Sequence, residues 1–177
     1  DYDVAGTLSG NWFQEGTDWY MGTNQRKYWE GHLSIAPHEI DPTLWRIGIG
    51  FLDVDDNNFI IVGEHDPLQV NSSSGPVTYE LKRYMNYIPA KPDLLWWNEL
   101  YVEGDVFGVK FFPGIVGTVL LDLQDDGFLK MELFQGKDSI QLLFEDGFGN
   151  RSDDLFLYLA PSENEECRNA ANAILHG

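Results

Sequence analysis

From Trp29 to Ala160 the chain consists of short runs in which apolar and polar residues alternate, broken by turns rich in Asp, Asn and Gly. Side chains alternate across a strand, so a period of two marks a strand with one buried face, and such strands build antiparallel sheets. Residues 44–53, the turn 54–58 and residues 59–64 read as one hairpin. Residues 117–123, the turn Gln124-Asp125-Asp126-Gly127 and residues 128–134 read as a second, and a third follows through 145–150. Further strands are expected over 4–14, 29–35, 77–87, 94–103 and 106–112, with 16–27 a long loop or short helix carrying Trp19, Tyr20 and Met21. Pro89 and Pro92 make the connection between two of these strands irregular. Roughly ten strands result.

Each run has an apolar face that should point inward. The expected inner sets include Trp29, Leu33 and Ile35; Trp45, Ile47, Ile49 and Phe51; Val77, Tyr79, Leu81, Arg83 and Met85; and Trp96, Asn98 and Leu100. The later strands add Phe107, Val109 and Phe111; Val119, Leu121 and Leu123; and Leu129, Met131 and Leu133. The opposite faces carry Asp122, Lys130 and Glu132, so one surface is wet. Arg83 interrupts its set, and a buried cation without a partner costs several kcal/mol. It therefore pairs with Glu99 or Glu64, reaches water at a strand end, or anchors the anionic end of an otherwise apolar ligand.

The end of the chain differs. Ser162 with Glu165 three residues on has the capping-box spacing, and Cys167, Ala170, Ala171, Ile174 and Leu175 follow at helical intervals, which predicts a short amphipathic helix over 162–176. A chain of 177 residues with no linker or composition break is expected to form a single domain, 1–177.

Charge narrows the choice of partner. Eleven Lys and Arg against 29 Asp and Glu give a formal net charge of −18, which disfavours nucleic acid and anionic membranes. No apolar window is long enough for a spanning helix, so membrane insertion is not expected. Cys167 is the single cysteine, which excludes an intrachain disulfide. The Asp at position 1 suggests a processed N-terminus, and the sequons at Asn71 and Asn150 fall in expected loops. Together they point toward secretion.

Gly10-Asn11-Trp12 on the first expected strand resembles the Gly-X-Trp motif that opens lipocalins and related calycin barrels. The resemblance implies an eight-stranded barrel in which the Trp closes one end beneath an Arg, a part that Arg168 or Arg151 could play here. Serial hairpins followed by a helix are similar to calycins over most of the chain, whereas the family's Thr-Asp-Tyr motif is absent. The expected fold is therefore all-β, an antiparallel up-and-down, calycin-like barrel of about 8–10 strands with one short C-terminal helix.

Signatures of cofactor or metal chemistry are sparse. Residues 53–64 place acids or amides at positions one, three and five and Glu64 at twelve, as a calcium loop does, but Asn58 replaces the turn Gly and the flanks read as strands. The four His show no metal-ligand spacing, His32 lies on a polar strand face, and no nucleophile or phosphate-loop signature occurs. No cofactor and no metal site are expected. What remains is a small hydrophobic ligand in an aromatic-lined cavity formed by Trp29, Trp45, Phe51, Tyr79, Arg83, Trp96, Asn98, Phe111 and Met131. The alternative is a cofactor-free cyclase, isomerase or lyase acting on a small hydrophobic substrate in the same cavity, with Arg83 stabilising negative charge and Tyr79 or Glu99 moving a proton. A solid structural module is a third reading. The oligomeric state is not specified by the sequence.

Overall fold

A computed structural model of the chain describes residues 3–17, 31–50, 52, 57–91, 104–136 and 156–161. Ten strands occur among them and no helix. None of the described segments is a helix long and apolar enough to cross a membrane. Eight strands close into an antiparallel barrel in the ring order β1 (Gly10–Gln14), β2 (His32–Pro37), β3 (Trp45–Ile49), β4 (Asn58–Val62), β5 (Val77–Lys82), β8 (Gly117–Leu123), β9 (Leu129–Gln135) and β10 (Phe156–Pro161), which returns to β1. The other two, β6 (Tyr84–Tyr87) and β7 (Gly108–Phe111), pair only with each other.

The ring is strongly staggered. From Gln14, paired neighbours lead through Leu159 and Leu129 to Leu123. Two residues back along β8, Leu121 pairs with Val77, and four residues on along β5, Leu81 leads through Ile61 and Trp45 to Pro37. Two residues back, Ile35 pairs with Gly10, four residues short of the starting point. All four steps run toward the same end and together make a stagger of twelve residues. For eight strands this tilts the strands by about 45° and widens the barrel to a radius of about 9 Å.

Alternation decides what fills it. Leu33 and Ile35, Ile47 and Ile49, Phe59 and Ile61, Val77 and Leu81, Val119 to Leu123 at every second residue, and Leu129, Met131 and Leu133 form one contiguous buried cluster. Full burial of each such side chain contributes about 1.5–3 kcal/mol. The hairpin predicted over 117–134 forms with all seven residues of β8 paired to β9, and that predicted over 44–64 forms as β3 and β4.

At one end of the barrel lie the N-terminal segment and the connections 38–44, 63–76 and 124–128. The strand expected over 4–14 begins only at Gly10, because residues 4–9 fold back on themselves. Val4 N–H donates to Ser9 O at 3.0 Å and Thr7 N–H to Val4 O at 3.2 Å. This turn pushes Leu8 into the barrel, where it is fully buried, and Leu8 N–H donates to Pro67 O across the end. Trp12 Nε1–H donates to Leu8 O at 3.1 Å, so the Trp of Gly10-Asn11-Trp12 holds the plug in place. Gly10 is required here: its φ is +154°, and a Cβ would stand 3.1 Å from Asp3 Oδ1.

The strand expected over 77–87 breaks at Arg83. Pairing explains the break: β4 and β8 flank β5 only as far as Lys82 and Leu81, so beyond them the chain has no barrel neighbour. It pairs instead with β7, which places Phe111 and Phe107 outside the barrel, exposed, rather than on its inner face. The outer face is not wet throughout, since Ala36, Ile60, Leu120 and Phe134 point away from the interior and are buried. The strand expected over 94–103, the third hairpin at 145–150, the helix at 162–176, and Arg151 and Arg168 lie outside the described residues.

Candidate functional site

The seams between strands differ in length. β4 pairs with β5 through three residues only, Ile60 to Val62 against Lys82 to Glu80, and then ends. A cleft of about 450 Å³ opens there. Trp45 at the start of β3, Ile61, Tyr79 and Phe111 supply apolar surface, while Glu64, His65, Asp66 and Lys82 supply its polar groups. By register, Trp45, Ile61 and Tyr79 belong to the inner face and Ile60 and Lys82 to the outer, so the cleft takes in both faces of the sheet where β4 stops.

Gly63 shapes this place. A Cβ there would stand 2.7 Å from both Thr78 O and the Tyr79 ring, so only Gly lets the phenol ring lie across the end of β4. Tyr79 is 2% exposed, yet its hydroxyl has no hydrogen-bond partner among the described residues. Buried hydroxyls are nearly always satisfied, and one left unmatched costs about 1–3 kcal/mol. Burial, reinforced by the Asp66 carboxylate, pushes the Tyr79 phenol to a higher pKa, so it keeps its proton throughout the physiological range. Asp66 is itself fixed by its turn, its Oδ1 accepting from Leu68 N–H at 3.0 Å.

Phe111 reaches the cleft from the β6–β7 hairpin, which is seated on the outer wall through Glu39. Glu39 Oε1 accepts from Asn86 Nδ2 at 3.2 Å, and Glu39 Oε2 lies 3.3 Å from Arg46 Nη1. His38, fully buried, packs edge-on against Tyr84 with ring centroids 5.0 Å apart. Its Nδ1 accepts from Ile40 and Asp41 N–H. Burial by itself would raise the Glu39 pKa, but its own backbone hydrogen bond, Arg46, His38 and Asn86 hold it below the usual carboxylate range.

A second cleft of about 400 Å³ lies between the N-terminal segment and the β8–β9 turn, with Trp12 and Leu123 in its lining beside Asp3, Asp125 and Asp126. None of the described buried polar atoms that lack a partner belongs to it. No three His, Cys, Asp or Glu side chains among the described residues are grouped to hold a metal ion.

The residues expected at the site divide three ways. Trp45, Tyr79 and Phe111 line the same cleft. Met131 is fully buried in the core cluster on β9, and Arg83 is exposed at the break between β5 and β6, where its carbonyl accepts from Phe112 N–H. The inward position expected for Arg83 assumed an alternation that ends one residue before it. Trp29, Phe51, Trp96, Asn98 and Glu99 lie outside the described residues. His32, expected to be exposed, is half-buried: it stacks on Phe13 and its Nε2–H donates to Asn11 Oδ1 at 2.9 Å. Burial lowers its pKa, although Asp3 opposes the shift.

Gly63 and Asp66 were not singled out from the sequence. A Gly directly after an apolar run, opposite a Tyr in the next strand, is the signal that could have marked the place, but it requires the β4–β5 register. Comparison with protein families, curated proteins and solved structures finds no match to the chain.

Proposed function

We propose that the protein is a calycin-like barrel that binds a small, largely apolar molecule in the cleft at the end of β4. The observation that carries this reading is the cleft itself, about 450 Å³ at the point where β4 stops, with Trp45, Ile61, Tyr79 and Phe111 in its walls. Ligand sites are concave, mostly apolar and furnished with a few convergent polar groups. Eight antiparallel barrel strands that follow chain order except where β6 and β7 intervene, the twelve-residue stagger and Trp12 holding the plug at one end support the calycin kinship. An exposed Asn71 in the 63–76 connection is consistent with a secreted protein.

A cofactor-free enzyme acting in the same cleft is the second reading, favoured by the Asp66 carboxylate beside Tyr79. The upward shift of the phenol weighs against it, because a phenol that holds its proton more tightly is a poorer proton donor. Mass spectrometry of the protein incubated with a host extract separates the two. A retained, chemically unchanged apolar molecule is the expected result. Conversion of an extract component would favour the enzyme, and absence of both would overturn ligand binding.

A further inference from the structure

Residues 71–74 form a surface turn outside the ligand cleft. Val70 and Val77 are buried on either side of it, whereas Asn71, Ser72, Ser73 and Ser74 are all exposed. Asn71-Ser72-Ser73 has the spacing of an N-glycosylation sequon, with no Pro at the middle position. We propose that Asn71 is the acceptor for an oligosaccharide added as the chain passes through a secretory compartment, an inference that rests on the secreted reading above and not on the ligand cleft.

The turn presents the side-chain amide. Ser73 N–H donates to Asn71 Oδ1 at 2.9 Å, Ser74 N–H to Asn71 O at 2.9 Å and Asn71 N–H to Ser74 Oγ at 3.0 Å. All three bonds lie within four consecutive residues, so the same geometry is open to the chain before the barrel closes. With Oδ1 held, Nδ2 has one hydrogen-bond partner among the described residues, Gln69 O at 3.4 Å, beyond the usual range of about 2.7–3.2 Å. The amide nitrogen is thus accessible and weakly engaged. The donor it would meet is an oligosaccharide carried on a lipid diphosphate. Nδ2 bonds to the anomeric carbon as the bond from that carbon to the phosphate oxygen breaks. The lipid diphosphate leaves with the bonding pair, and the proton lost from Nδ2 passes to a base of the transferase. Because the turn is exposed, the bulky product stands in solvent and disturbs no core contact.

The full chain, fused to a cleavable secretion signal and collected from the medium of cultured eukaryotic cells, tests the acceptor separately from the route that its own host uses. Peptide N-glycosidase in heavy-oxygen water converts a glycosylated Asn to a labelled Asp, and peptide mapping then reads Asn71 apart from the sequon at Asn150. The expected result is a label on Asn71 that is lost in both Asn71→Gln and Ser73→Ala and kept in Ser73→Thr, which restores the hydroxyl. Secreted protein with Asn71 unlabelled would overturn the proposal, as would a label that survives Ser73→Ala. Asn71 unmodified in protein isolated from the native host, beside a labelled Asn71 in the secreted fusion, would count for the acceptor and against the secreted reading.

Discussion

The β8–β9 wall and the β4–β5 seam belong to one sheet but meet different demands. Along β8 and β9 seven residue pairs run without interruption, and Val119, Leu121, Leu123, Leu129, Met131 and Leu133 close the inner face with aliphatic groups. At the β4–β5 seam three pairs form, β4 stops, and a Gly and a phenol occupy the place where a further aliphatic pair would have completed the wall. The first wall is packed for stability. The second forgoes packing and leaves a hydroxyl unmatched, a cost that persists where function maintains it.

Core truncation on the continuous wall should produce the largest change. Leu121→Ala removes a fully buried side chain and should destabilise the protein by about 2–5 kcal/mol in urea unfolding. A loss below about 1 kcal/mol would mean that the wall is loosely packed. At the seam, Gly63→Ala should cost about 1–3 kcal/mol, because the new methyl meets backbone at Thr78 as well as the Tyr79 ring. A neutral outcome would show that the ring is free to move aside.

Glu39→Gln tests the seat of the hairpin that carries Phe111. The folded-state pKa of Glu39 lies below its ordinary value of 4.5, so the carboxylate stabilises the fold fully above that value and loses its effect as pH falls through the folded pKa. The variant should be less stable than wild type by no more than about 1 kcal/mol near pH 7, with the difference shrinking below pH 4.5. A gap that is constant with pH would show that the Glu39 charge is not what seats the hairpin. The smallest change in stability is expected from Tyr79→Phe, which deletes an unmatched hydroxyl and should leave stability unchanged or raise it by up to about 1 kcal/mol. A clear loss of stability would reveal a partner for that hydroxyl.

Inner and outer faces of the barrel strands could be read from the sequence because a period of two is a local property. Val119, Leu121 and Leu123 announce their side of the sheet without reference to any neighbour. Where a strand stops is not local. Residues 77–87 alternate as one run, but Arg83 leaves the barrel because β4 and β8 flank β5 no further than Lys82, and this relocates Phe111 to the hairpin. Trp45 and Tyr79 were recognisable as aromatic groups on inner faces, but their meeting beneath the 63–67 turn depends on register, as does the part played by Gly63.

Photolabelling with a small apolar molecule that carries a diazirine, followed by peptide mapping, tests the proposed ligand site at the β4–β5 seam most directly. Labels concentrated on Trp45, on residues 61–67 and on Tyr79, and displaced by excess of the same molecule without the diazirine, are the expected result. Saturable labelling confined to β8 and β9, or labelling that the diazirine-free molecule does not displace, would contradict the assignment.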